Sequence, residues 1–191
     1  MYLVLDSETT GLPKNWKAPA TDTANWPRVI QLAWALFDAL GHPVESVTHL
    51  VRPEGFTIPA DVQRIHGITT ERALTEGKEL AEVLREFSTA VGKAEVLVAH
   101  NIGFDENVIS AEYHRLRLPP PFIGKRRLCT MMQSTDFCKI PGNYGFKWPS
   151  LSQLHQALFR CGYEEAHDAG ADVAACAKCF FELRRRRVIS V

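Results

Sequence analysis

A mixed α/β sheet flanked by helices is the fold class this sequence predicts, and three observations predict it. Three apolar, strand-like segments open the chain with only loops between them, the pattern of an antiparallel meander. Buried strands then alternate with helical stretches, which places helices against a sheet. The 191 residues are 46% hydrophobic and 23% charged, an ordinary globular balance at a length that fits one domain, with no linker or repeat to divide residues 1–191.

The first strand is residues 2–6, apolar until Asp6. A polar, Pro-rich stretch follows to residue 27, then a second strand over 28–37, a turn at Gly41 and a third strand over 44–51. A short helix is expected near 60–65. A firmer one runs over 79–91, because Leu80, Val83, Leu84, Phe87 and Val91 fall on one helical stripe. Residues 95–99 are a buried strand, 104–115 a helix, and 127–130 a short fifth strand. Residues 137–149 read as loop, with Pro141, Gly142, Gly145 and Pro149. A helix over 150–159 has Ser150 at its cap, and the last helix spans about 168–187 with Cys176, Phe180 and Leu183 inward.

Lysine plus arginine and aspartate plus glutamate both total 22, so the formal net charge is zero, which excludes a strongly basic polyanion binder. The five cysteines, scattered at 129, 138, 161, 176 and 179, read as free thiols of a reducing, cytoplasmic protein. Cys176 and Cys179 lie on a helical core pattern and are expected to be filler, not a zinc or redox pair. The apolar start meets Asp6 at once and does not read as a signal peptide. The longest apolar run, residues 32–37, is far short of the ~18 residues that span a bilayer, so no membrane association is expected.

The chemistry rests on four acids. Asp6 and Glu8 are two residues apart in extended chain and face the same way, so they repel unless a cation lies between them. Asp105 follows a buried strand and opens a helix, where a capping role is the alternative. Asp172 lies in the first turns of the last helix, five residues after His167. Three of the acids sit at ends of elements that a sheet would bring together. Converging carboxylates without a Cys or His cluster point to Mg²⁺ or Mn²⁺, and two such ions suit in-line displacement at phosphorus. His167 is spaced to take a proton from the attacking water.

The segment Leu5-Asp6-Ser7-Glu8-Thr9-Thr10-Gly11-Leu12 resembles the first motif of the DEDDh 3′→5′ exonuclease family. Ala99-His100-Asn101-Ile102-Gly103-Phe104-Asp105 resembles the second and His167-Asp168-Ala169-Gly170-Ala171-Asp172 the third. The DEDDy branch has Tyr where this chain has Asp168, so the DEDDh branch fits. His66-Gly67-Ile68-Thr69 also resembles a substrate-contacting segment of the family. The resemblance implies an RNase H-like fold, with a five-stranded mixed sheet whose second strand runs antiparallel. It implies a 3′→5′ exonuclease of the proofreading-subunit type, releasing nucleoside 5′-monophosphates from single-stranded or frayed 3′ ends, with DNA as the favoured substrate. Asp6, Glu8, Asp105 and Asp172 would hold two divalent ions, with His167 as general base. Thr9, Thr10, Gly11, Leu12, His66 and Phe104 would hold the terminal nucleotide. The implied partners are a nucleic acid with a free 3′ end and a polymerase or another replication or repair protein.

Two rival functions share these residues: RNA trimming or short-oligonucleotide degradation by the same site, and a non-catalytic polymerase-associated binding module. Two loops depart from the minimal family pattern. Residues 13–27 carry Trp16 and Trp26, and residues 137–149 interleave Lys139 and Lys147 with Tyr144, Phe146 and Trp148. Rings beside cations suit a single strand, but the favoured expectation is that these aromatics pin their loops to the domain. Arg184 to Arg187 is expected to be a solvated helix end.

Overall fold

The computed structural model describes residues 1–163 and 166–190. Glu164, Glu165 and Val191 lie outside them. The meander is present as β1 (Tyr2–Thr9), β2 (Val29–Phe37) and β3 (Pro43–Leu50), paired antiparallel in turn. Two short helices, α1 (Ala60–His66) and α2 (Thr70–Glu76), precede the long α3 (Leu80–Lys93). Then come β4 (Val96–Ala99), α4 (Ile102–Arg115) and β5 (Arg126–Cys129). β4 pairs parallel to both β1 and β5, so the sheet order is β3-β2-β1-β4-β5 with β2 alone reversed. That is the sheet the resemblance implies.

The chain continues through two four-residue helices, α5 (Thr130–Gln133) and α6 (Thr135–Cys138), and a hairpin of β6 (Pro141–Gly142) with β7 (Gly145–Phe146). It ends with α7 (Leu151–Phe159) and α8 (Ala169–Arg185). Ser150 caps α7 as expected, within a reciprocal capping box with Gln153. Residues 137–149 are therefore not plain loop, and α2, α5 and α6 have no counterpart in the sequence reading. These helices of four to seven residues present at most one buried side chain each, Ala73 in α2 and Thr130 in α5, so no stripe marks them.

Each face of the sheet has its own core. Leu3, Leu5, Leu32 and Leu97 pack under α3 and α4, with the whole α3 stripe buried. Val4, Ala33, Val96 and Val98 pack under α7 and α8, where Val173, Cys176, Phe180 and Leu183 are almost wholly inaccessible. Fully burying each such Leu, Val or Phe contributes ~1.5–3 kcal/mol. Cys176 and Cys179 are buried core thiols, and burial raises both, Cys179 to about 12, which suppresses thiolate chemistry. No helix among the described residues is long and apolar enough to cross a membrane.

The arginine-rich end of α8 is solvated as expected at Arg185, Arg186 and Arg187, and only Arg184 is half-buried. Arg184 lies over the ring of Tyr2 at 4.8 Å, and Arg185 and Arg186 both clasp Glu182. Arg186 also donates to the Leu158 carbonyl of α7. Arg184 is held over the Tyr2 ring, while the exposed Arg185 and Arg186 pair with Glu182 in water, where such pairs contribute little.

Candidate active site

Strand alternation sets the direction of each β1 side chain. Val4 belongs to the α7–α8 core and Leu5 to the α3–α4 core, so Asp6 and Glu8 continue the first face and Ser7 the second. β1 pairs with β4 only as far as Val4, leaving Asp6 and Glu8 beyond that register. Asp172 approaches on the first face from the opening turn of α8. Asp105, in the opening turn of α4, reaches Ser7, whose Oγ donates to Asp105 Oδ1 at 2.7 Å. Asp105 does not cap α4, since Asn101 occupies the N-cap position in the left-handed conformation (φ 82°).

His167 completes the group. One ligand atom from each of Glu8, His167 and Asp172 lies within 4.8 Å of the other two. His167 is exposed, with φ 73°, a conformation that is strained for a residue bearing a Cβ. Its backbone N–H donates to Asp172 Oδ2 at 3.3 Å.

Burial, reinforced by mutual charge repulsion, sets the electrostatics of the four acids. Burial, then Asp105, Asp172 and Glu8, hold the Asp6 carboxyl well above the usual carboxylate range. Burial, then Asp172 and Asp105, push Glu8 up to about 8. Burial raises Asp105 to about 7 against the opposing Ser7 hydrogen bond. Asp172 is raised by burial, opposed by hydrogen bonds from Tyr163 and the His167 backbone. Among the described residues no lysine or arginine is paired with any of the four. Hard oxygen donors converging without an internal cation fit divalent ions of the Mg²⁺ class.

Several supporting residues escaped sequence reading. The Tyr163 hydroxyl donates to Asp172 Oδ1 at 2.6 Å. Gln31, opposite Glu8 in the β1–β2 register, donates to Asp168 Oδ2 at 2.8 Å and accepts from the Ala169 N–H at 2.8 Å. Asp168 in turn caps α8 by accepting from the Ala171 N–H. Asp168 carried a signal as an N-cap type before a helix; Ser7, Gln31 and Tyr163 carried none, because their partners are distant in sequence or outside the motifs.

Beside the acids lies a cleft of about 260 Å³ lined by Glu8, Gly11, Leu12, Ile65, His66 and Phe104. Leu12 is 71% exposed, an apolar side chain offered to the cleft. Gly11 has φ 140°, which a Cβ would disfavour, and this lets the chain turn out of β1. Thr9 also lines the cleft, but its Oγ1 donates to the Gly11 carbonyl, and Thr10 Oγ1 accepts from the Arg28 N–H, so both hydroxyls shape the turn. His66 Nδ1 accepts from the Ile68 N–H, which puts the proton on Nε2. That Nε2–H is buried without a partner, a donor ready for a ligand.

Comparison with known proteins agrees with this geometry. The RNase_T family model, described as Exonuclease, matches residues 3–180. DNA polymerase III subunit epsilon of Treponema pallidum is 30% identical over 179 residues, which cover 94% of this chain and 74% of that protein. DNA polymerase III PolC-type of Staphylococcus epidermidis is 32% identical over 164 residues, 83% of this chain but 10% of the relative. The 3′-5′ exonuclease DinG of Bacillus subtilis is 24% identical over 184 residues, 17% of its length. In structure, E. coli exonuclease I in complex with a dT13 oligonucleotide superposes with a TM-score of 0.76 at 20% identity, over 98% of this chain and 42% of that one. That likeness shows the RNase H-like fold. Because the family match covers nearly the whole chain, acids and His167 included, the chain belongs to the exonuclease family.

Proposed function

We propose that residues 1–191 form one exonuclease domain that removes nucleotides from the 3′ end of single-stranded or frayed DNA, in the cytoplasm, and that it works beside a polymerase or another replication or repair protein. The observation that carries this is the grouping of Glu8, Asp172 and the exposed His167 within 4.8 Å of one another, with Asp6 and Asp105 buried and near enough that the carboxylates raise one another. The relatives supply the partner class, since two are polymerase III proteins. The dT13 complex of E. coli exonuclease I favours single-stranded DNA.

Two divalent ions, Mg²⁺ or Mn²⁺, held by the four carboxylates would supply activation of water and stabilisation of the leaving oxygen. His167, exposed beside Glu8 and Asp172, accepts the proton of the attacking water. Leu12 and Phe104 contact the terminal base or sugar through apolar surface, and the Gly11 backbone approaches it closely. The His66 Nε2–H donates to a polar atom of that nucleotide. Burial and His167 hold the His66 imidazole below its ordinary range, so it serves as a neutral donor.

A 5′-labelled DNA strand with Mg²⁺ or Mn²⁺ tests this: a ladder shortening from the 3′ end, nucleoside 5′-monophosphate products and inhibition by chelator are expected. Cuts in a circular single strand, or full activity in excess chelator, would sink the reading; an RNA strand cleaved in preference to DNA would reassign the substrate. Asp6→Asn, Glu8→Gln, Asp105→Asn and Asp172→Asn should each lose most of the activity, non-additively. His167→Ala should lower kcat by roughly 10²–10⁴, the range of a general base.

A further inference from the structure

We propose that the cleft between Trp16 and Trp148 is a stacking subsite for unpaired bases upstream of the 3′ end; it rests on the exonuclease reading above. This second cleft, about 630 Å³, shares Phe104 in its lining with the terminal-nucleotide cleft. Trp16, Phe104, Met131 and Trp148 give it apolar walls, and Asn101 and Asn107 add polar groups. The Trp16 and Phe104 rings are 5.8 Å apart between centroids. Because Phe104 is common to both clefts, a strand whose last nucleotide occupies the first can continue into this one.

The exposure of the rings separates a binding surface from a packing one. Trp26 and Trp34 are 3% and 1% exposed, whereas Trp16 is 55% and Trp148 62% exposed. Tyr144, at the tip of the neighbouring hairpin, is fully exposed. The expectation that these aromatics pin their loops therefore holds for Trp26, holds in part for Trp16, whose ring packs on Phe104 while about half of it stays open, and is not met by the exposed Tyr144, Phe146 and Trp148. Other groups complete the pinning. Asn25, itself buried, accepts from the Asn15 N–H and donates to the Asn15 carbonyl, fixing the chain on which Trp16 stands. His100 Nε2 donates to the Pro149 carbonyl at 2.9 Å, fixing the residue after Trp148. Two apolar rings are thus held open on rigid chain.

Charge selects the occupant. Lys14 and Lys17 flank Trp16, Lys147 precedes Trp148, and Lys139 begins the hairpin loop. All four are exposed, and none takes part in an ion pair among the described residues. Rings for bases beside ammonium groups for phosphates is the composition that an unpaired nucleic-acid strand matches.

Two substrates separate this subsite from the catalytic centre: a twelve-residue oligothymidylate, and the p-nitrophenyl ester of thymidine 5′-monophosphate, which has no upstream base. Trp148→Ala, alone and with Trp16→Ala, should raise KM for the oligonucleotide about tenfold or more, the size expected from losing a stacked base. Turnover of the ester should stay within about twofold, and Trp148→Phe should restore most of the affinity. With Ca²⁺ in place of Mn²⁺, the oligonucleotide should quench wild-type tryptophan fluorescence, a readout independent of how the variants fold. If wild type cleaves both substrates while the double variant keeps its oligonucleotide KM, the subsite is overturned and the exonuclease reading stands. Unquenched rings would also overturn it and leave the cleft to a protein partner. Wild type inert toward both substrates would overturn the exonuclease reading, and the subsite with it.

Discussion

Asp105 illustrates how one residue can be costly to the fold and still be a proposed metal ligand. Its carboxyl is 3% exposed, shares a pocket with three other acids and is raised to about 7, while Glu8 is raised to about 8. Their ordinary values are 3.8 and 4.5, so between about pH 4 and 8 the folded protein holds protons that the unfolded chain has released. The stability from these groups is fully present below about pH 4 and is lost as pH rises through 7 and 8. In chelator, Tm should therefore fall between pH 5 and 9, and calorimetry across that range checks it. Asp105→Asn removes one repelling charge and keeps an acceptor for Ser7, so in chelator near pH 8 it should melt at or above wild type. Mn²⁺ should raise wild-type Tm by several degrees, since a site at ~100 times Kd adds about 2.7 kcal/mol and 1 kcal/mol moves a domain of this size ~2–4 °C. The variant should gain much less. A variant that melts lower in chelator and gains as much from Mn²⁺ would remove Asp105 from the ligand set.

Among elements, the start of α8 carries two of the proposed site residues. Asp172 and His167 are both placed by this one turn, and a single buried glutamine ties it to the sheet. Gln31 bonds the Asp168 cap and the Ala169 N–H together, and its backbone lies opposite Glu8, so it links strand and helix directly behind the acids. Gln31→Ala leaves a buried N–H unsatisfied and frees the cap, which should cost ~1–3 kcal/mol. The same change should lower kcat more than it raises KM, because it loosens acids and not the nucleotide cleft. Urea unfolding with steady-state kinetics checks both; an unchanged midpoint would show the cap to be self-sufficient. On the other face of the sheet, at the same end of β2, buried Glu112 plays a comparable part. It accepts from Arg28 and the Val29 N–H, and Arg115 reaches the Thr23 and Trp26 carbonyls, so α4 holds the loop that carries Trp16.

For the whole molecule, charge balance sets how it should hold a polyanion. Removing Asp6, Glu8, Asp105 and Asp172 from the 22 acids leaves 18 against 22 bases, so the metal-loaded protein is formally only +4. Many of those bases are already committed to Glu45, Glu82, Glu86, Glu106, Glu112 and Glu182. About four lysines remain beside the aromatic cleft, which at ~0.7 per phosphate contact predicts a shallow slope, about −3 or less steep, of log K against log salt for a single strand. Fluorescence titration at several salt concentrations checks it, and a steep slope would mean a phosphate-binding surface elsewhere. Weak grip also predicts poor processivity without a partner. The chain spans 10% and 17% of the PolC-type and DinG relatives it matches, proteins in which further chain accompanies this domain.

What the sequence by itself determined is what neighbours along the chain can express. The α3 stripe, the apolar strands and the Ser150 cap all follow from local period and residue type, and each stands where expected, with shifts of a few residues at element ends. Only the tertiary structure decided which groups meet. Ser7 and Asp105 are 98 positions apart and Gln31 and Asp168 are 137, so nothing in either local segment signals the bond. The orphan Nε2–H of His66 exists because the Ile68 N–H occupies the other ring nitrogen and surrounding chain covers the donor. Trp16 and Trp26 are alike as letters in one loop, but one stands open and the other is buried. Burial depends on what packs from elsewhere, and that is a property of the folded chain alone.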